Sequence, residues 1–282
     1  MPIKLLVDSA SDIDSAEAQA RGLTMIPMEI SFGSETYFDG VNLSRNEFFE
    51  KLIENDIFPK TSQINNYRFS EAFEKAVSDG SEALCITMSS NLSATHQSAA
   101  DAAKKFGGKV RVIDSKNASI GERILIDYAQ RLIAEGRDLD ETEKALNTAK
   151  TKIKLLALLN TLQYLQKGGR ISLVTAFAGE LLNIKPVVEV REGEVKLAGK
   201  ALGSKKSNNL LMQMIEKSGG IDFGMPYAVG YSGLSDEVLK KYLSDSARIW
   251  QGQTDSIPSY QIGSTIGAHV GPGAIAVAYF SK

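Results

Sequence analysis

Three stretches of the chain carry residues able to grip a small anion. Ser89-Ser90-Asn91-Leu92-Ser93-Ala94-Thr95 crowds hydroxyls between an apolar strand and an alanine-rich helix. A helix start offers unpaired N–H groups and a partial positive charge, which suits a carboxylate or phosphate. The same residues also fit plain N-capping by Ser93. Lys60-Thr61-Ser62-Gln63 is a second polar turn, ahead of a helix near Asn65, and by itself reads as an ordinary cap. Ile266-Gly267-Ala268-His269-Val270-Gly271-Pro272-Gly273-Ala274 sets one of only two histidines among three glycines and a proline. That composition predicts a tight turn with bare backbone, in which His269 serves either structure or a ligand. His96 falls inside the alanine-rich helix and reads as a packing residue.

Other chemistries fare worse. Gly271-x-Gly273-x-x-Ala276 superficially matches a dinucleotide fingerprint, but it opens a strand-like run where that motif opens a helix. Cys85 sits mid-strand in apolar company and reads as an inert thiol. Ser232 misses the G-x-S-x-G elbow by one position. Asp8, Asp12 and Asp14 lack the order of a calcium loop and read as turn and cap residues. No phosphate-binding loop of the G-x-x-x-x-G-K-[ST] type occurs. One cysteine excludes an intrachain disulfide, and with two histidines a structural zinc site would need an acidic ligand. No metal site is expected. A net charge of -2 gives no basic field for nucleic acid. No stretch approaches the ~20 apolar residues of an integral membrane segment. The start Ile3-Lys4-Leu5-Leu6-Val7 has no basic leader, so the expected location is the cytoplasm.

The elements that must position these residues alternate. Ile3–Asp8, Ala83–Thr87 and Val110–Asp114 read as buried strands. Helices are expected at Ser15–Arg21, after the Ser44/Glu47 capping box, at Asn65–Ser78, Ser93–Phe106, Ile120–Ala134 and after Asp138/Glu141. That order argues for a mostly parallel sheet covered by helices, with ligands at the carboxyl ends of its strands. Thr24–Phe32 is β-rich. The second half reads as a mixed sheet: a strand at Ile153–Leu159, a hairpin across Arg191-Glu192-Gly193, and strands at Tyr227–Tyr231, Gln253–Tyr260 and Ala274–Phe280. Helices are expected at Leu210–Ile215 and Ser235–Arg248. The fold class is therefore α/β, with subdomains over 1–152 and 153–282 and no linker between them. At 282 residues the chain can bury a sizeable core, and the cleft between the halves is the default ligand site.

Taken together, several blocks resemble the DegV family. They are Val7-Asp8-Ser9-Ala10-Ser11-Asp12, Lys60-Thr61-Ser62-Gln63, Ser89 through Ala99, Ile113-Asp114-Ser115, Leu165-Gln166-Lys167-Gly168-Gly169-Arg170-Ile171, Ile184-Lys185-Pro186 and Ile266 through Ala274. They stand in family order and span nearly the whole chain. The resemblance implies a DegV-like, two-part α/β protein that holds one long-chain fatty acid between its parts. It implies no catalytic activity and no cofactor beyond that ligand. Such proteins serve as acyl-carrying subunits of bacterial fatty acid kinase, presenting the carboxylate to an ATP-binding kinase subunit. The product is an acyl phosphate for phospholipid synthesis. Carried over, the carboxylate contacts fall on Thr61, Ser62, Ser93, the Ala94 backbone and His269, where a protonated imidazole would supply charge. Arg170 would dock the partner; it also fits a structural arginine that caps nearby carbonyls.

Two positions depart from the pattern. Ala94 stands where the family usually has glycine, and Leu202 where it often has a second docking arginine. The first leaves the N–H contact possible. The second weakens the expectation of a kinase partner. Two rival functions remain: a serine hydrolase using Ser93 with His269 as base, and a lipid-binding regulatory module without a kinase.

Overall fold

The computed structural model describes residues 1–55, 57–171 and 184–282. In the first half its strands are β1 (Ile3–Asp8), β2 (Thr24–Ile26), β3 (Glu29–Phe32), β4 (Glu35–Phe38), β5 (Lys60–Ser62), β6 (Glu82–Thr87) and β7 (Val110–Asp114). The second half adds β8 (Ile153–Leu158), β9 (Ile184–Arg191), β10 (Glu194–Leu202), β11 (Tyr227–Tyr231), β12 (Ser259–Gln261) and β13 (Ile275–Phe280). The first helices are α1 (Ser15–Ala20), α2 (Arg45–Glu54), α3 (Asn66–Val77), α4 (Thr95–Ala103), α5 (Ser119–Ala134) and α6 (Leu139–Ala149). They are followed by α7 (Gln163–Lys167), α8 (Ser204–Lys217), α9 (Glu237–Asp245), α10 (Ala247–Trp250) and α11 (Ser264–Val270). None is long and apolar enough to cross a membrane.

Two-residue alternation sorts the first sheet's side chains onto its two faces. Its order is β2-β1-β6-β7, all parallel, as expected. Leu6, Ala83 and Cys85 point to one side, where Phe69 and Phe73 of α3 and Ala99 and Ala102 of α4 cover them. Leu5, Val7, Leu84 and Ile86 point to the other, against α5. The second sheet is mixed, in the order β10-β9-β8-β13-β11-β12, with only β11 and β12 parallel. One of its faces packs on α8, α9 and α10 through Val277, Tyr279, Leu211, Ile215 and Tyr242. The other brings Leu155, Ala278 and Phe280 against α5. Lying between two sheets, α5 is buried over most of its surface, its charged Glu122 and Arg123 included.

A third sheet, β4-β3-β5, was not foreseen. Lys60–Ser62 is a strand, not a capping turn, because Thr61 pairs with Ile30 across the chain. Asn65 does cap α3, accepting from Arg68 N–H. The expected turn around His269 is a helix up to Val270, and the tight turn begins only at Gly271. The helix forms because Gly267 and Ala268 let it lie close on Phe48 and Phe49 of α2. Thr24–Phe32 divides between two sheets, and Gln253–Tyr260 contributes only the short β12. The Ser235–Arg248 helix breaks at Ser246 into α9 and α10.

Gly267 has no room for a side chain: a Cβ there would lie 2.7 Å from Phe48 and 3.0 Å from Phe49. Gly267→Ala should therefore cost about 1–3 kcal/mol of overpacking in a urea melt. An unchanged midpoint would contradict this account of how α11 is seated.

Candidate functional site

Opposed alanines open a cavity between the two sheets. Ala157 of β8 and Ala276 of β13 are direct cross-strand partners, and both face inward. Neither side chain spans the gap that Leu155 and Ala278 close beside them. The resulting cavity holds about 290 Å³. Met28, Met88 and Ala118, at the carboxyl ends of β2, β6 and β7, form the opposite wall. Val188 and Val195 of the β9–β10 hairpin form a third, and Ile266 and Val270 of α11 complete it.

Polar groups gather at one end. His269 Nε2 lies 3.0 Å from Thr61 Oγ1, joining α11 to β5. Ser93 Oγ accepts from Thr95 N–H at 3.2 Å and lies 2.9 Å from Thr95 Oγ1. Thr95 Oγ1 in turn accepts from Ile64 N–H at 3.3 Å, tying the β5 end to the α4 start. The turn before α4 engages the N–H groups of Leu92, Ser93 and Thr95, and not that of Ala94. Ser93 is thus not the helix N-cap: α4 begins at Thr95, with Ala94 in the cap position and no side-chain cap. Thr61, Ser93, Ala94 and His269 all line the cavity. Ser62 alternates away from Thr61 along β5 and is exposed, outside the lining.

Arg170 lines the same end and holds two of its walls. Its Nε donates to Leu92 O at 3.1 Å and its Nη1 to Gly168 O at 2.7 Å. The first bond steadies the segment carrying Ser93. The second fixes Gly168, whose bare Cα packs on His269, since a Cβ there would collide with Nδ1. The structural reading of Arg170 thus has direct geometry behind it. Gln63 also lines the cavity, a placement that its residue type alone does not signal. The hairpin tip closes over this loop: Ser89 Oγ donates to Gly193 O at 2.8 Å and Asn91 Nδ2 to Glu192 O at 2.9 Å.

Burial, then the charge of Arg170, pushes the His269 pKa down to about 4. The imidazole is neutral near pH 7, against the expectation of an imidazolium. Among the described residues its Nδ1 is buried without a hydrogen-bond partner, no hydrogen bond joins Ser93 to His269, and no acid orients the ring. The nucleophile–base–acid chain a hydrolase requires is therefore not assembled among the described residues. Nor does any cluster of potential metal ligands occur among them. His96 is half-buried in α4 and hydrogen-bonds Thr87 Oγ1 through Nδ1 at 3.0 Å, a packing role.

Because His269 is neutral when folded, the unfolded chain binds the extra proton between the ordinary histidine value and about 4. Its contribution is complete at neutral pH and is lost as pH falls through that window. Asp8 and Asp12 act oppositely: burial raises them to about 7 and about 6, so they favour the folded state as they take up protons. Comparing the native chain with His269→Gln cancels them. Between pH 7 and 4 the native chain should lose about 2–3 kcal/mol more stability than the variant. Parallel loss would contradict the buried neutral imidazole. Ala157→Phe should fill the cavity, leaving the melting temperature within a few degrees but abolishing uptake of any ligand that occupies it.

A family model described as "Uncharacterised protein, DegV family" matches residues 2–282. A DegV domain-containing protein of Deinococcus radiodurans is 31% identical, over 99% of this chain and 98% of its own length. A fatty-acid-binding DegV family protein from Thermus thermophilus superposes with a TM-score of 0.89 at 28% identity, covering 100% of both chains. A DegV family protein from Eubacterium eligens, loaded with heptadecanoic acid, gives 0.84 at 26%, covering 99% of this chain and 100% of its own.

Proposed function

The chain belongs to the DegV family, and from that membership we propose that it binds a long-chain fatty acid with the carboxylate at Thr61, Ser93, Ala94 and His269. One observation carries the reading: a cavity walled by apolar side chains ends in hydroxyls and an imidazole brought together from three distant segments. Each end suits one half of such a molecule. At about 0.8 kcal/mol per buried CH₂, roughly fifteen methylenes offer about 12 kcal/mol gross, so the tail dominates affinity. The polar end then fixes orientation. Two hydroxyls and the Ala94 N–H donate hydrogen bonds to the carboxylate, and Ser62, exposed and outside the cavity lining, is left out of this contact set. A bound anion also favours proton uptake by His269, opposing the burial that keeps it neutral. The fatty-acid-binding relative from Thermus thermophilus and the heptadecanoic-acid-loaded one from Eubacterium eligens support the choice of ligand.

The same reading extends to a partner. The polar end reaches the surface, where Ala94, Ser62 and Gln63 are exposed. We propose that the carboxylate is presented there to an ATP-binding kinase subunit. A carboxylate oxygen would bond to the terminal phosphorus of ATP, and the bond to the ADP oxygen would break, giving acyl phosphate. Arg170 is partly exposed and available to such a partner, whereas Leu202 offers an exposed apolar side chain in place of a guanidinium. A lipid-binding module without a kinase is the second reading, and Leu202 is the observation that favours it. Mixing the protein with a fatty acid kinase subunit, ATP and palmitate, and trapping acyl phosphate as hydroxamate, separates the two.

Denaturing extraction of the purified protein followed by mass spectrometry should release about one saturated or monounsaturated long-chain acid per chain. A protein that carries none and takes up neither palmitate nor oleate would overturn the reading. Ser93→Ala and Thr61→Val should each weaken palmitate binding about ten- to a hundredfold, the cost of one hydrogen bond to a charged group.

A further inference from the structure

The helix that carries His269 has its start held by carboxylates from the other half of the chain. Asp39 follows β4 and is 2% exposed. Its Oδ1 accepts from Ser264 N–H at 3.2 Å and its Oδ2 from Thr265 N–H at 3.0 Å. Asp12, 1% exposed, accepts from Gly263 N–H at 2.8 Å through Oδ1 and from Ser119 Oγ at 2.5 Å through Oδ2. The N–H groups that open α11 thus meet both oxygens of one buried carboxylate, and that of Gly263 meets a second carboxylate. Gly263 itself supplies no capping side chain.

Helix geometry carries this constraint to the site. Thr265 and His269 are four residues apart, one turn, on the same face. Both line the cavity. A turn of the helix about its axis by one residue would move the imidazole by ~100° and take it away from Thr61. Asp39 and Thr61 also belong to one unit: β4 and β5 flank β3 in the three-stranded sheet. That sheet grips α11 at its start through Asp39 and at its end through Thr61, 3.0 Å from His269. Gly267 and Ala268, on Phe48 and Phe49, seat the same helix along its side.

We propose that Asp39 is a positioning residue for carboxylate recognition, setting the register of α11 that places His269 against Thr61 and the ligand head group. The proposal rests on the fatty-carboxylate reading of the cavity. Asp39 touches no ligand; it acts through His269 and therefore governs discrimination between head groups more than grip on the tail.

The test compares palmitate with hexadecanol, which shares the tail but lacks the charge. Dissociation constants are measured for the native chain, Asp39→Asn, His269→Gln and the double variant. Asp39→Asn keeps the shape and one acceptor oxygen, and its hexadecanol affinity reports whether the cavity is still formed. The native chain should prefer palmitate. Asp39→Asn should lower that preference about three- to tenfold with hexadecanol binding within a factor of about two, and should do nothing further once His269 is Gln. Equal loss for both ligands, no loss, or the same loss in the His269→Gln background would overturn the positioning role. A native chain with no preference for palmitate would overturn the carboxylate reading itself, and that outcome is visible before any variant is made.

Discussion

A seven-residue helix cannot hold itself in place, and this one carries the imidazole. Short helices gain too few internal hydrogen bonds to offset their nucleation cost, so their position comes from what they touch. For α11 those contacts come from the far end of the chain: Asp12 and Asp39 at its start, Phe48 and Phe49 along its side, and Thr61 at its end. Gly168, held by Arg170, presses on the remaining side of His269. The polar end of the cavity therefore exists only when segments near residues 12, 39, 61, 93, 168 and 269 have closed on one another. Folding and site formation are a single event at this point.

The electrostatics follow from the same crowding. His269 is neutral, and the one cation at this end among the described residues is the Arg170 guanidinium, which stays charged while it bonds two carbonyls. In the proposed reading an anion would also be held by oriented hydroxyls and N–H groups, which keep their worth inside a poorly solvated cavity. A protein with a net charge of -2 can hold an anion in this way without a basic surface. The apolar part rests on an omission: where Ala157 and Ala276 face each other, neither is large enough to fill the gap.

Much of this was legible in the residues. Both capping boxes, Ser44 with Glu47 and Asp138 with Glu141, form as their spacing demands. The parallel first sheet and the hairpin across Arg191-Glu192-Gly193 follow from local alternation and turn chemistry. β5 and α11 did not, because each depends on distant partners: Thr61 on Ile30, and Gly267 on two phenylalanines. Glycine-rich sequence suggests a turn unless one knows what packs on it. The hydroxyl and histidine members of the site were visible as types. So was Arg170 as an arginine that caps nearby carbonyls. Gln63 in the lining, the Asp39 contact to α11 and the alanine trough were not, since each is a matter of register between segments far apart in sequence.

In the proposed reading a carboxylate sits, ionised, among Thr61, Ser93 and His269. Palmitate labelled with carbon-13 at the carboxyl, bound to the protein and followed by NMR across pH, reads that directly. The expected result is one bound resonance in the ionised range near neutral pH, with its titration midpoint below that of the same acid in lipid vesicles and moved by His269→Gln. A resonance that titrates as it does in vesicles, indifferent to His269, would contradict it.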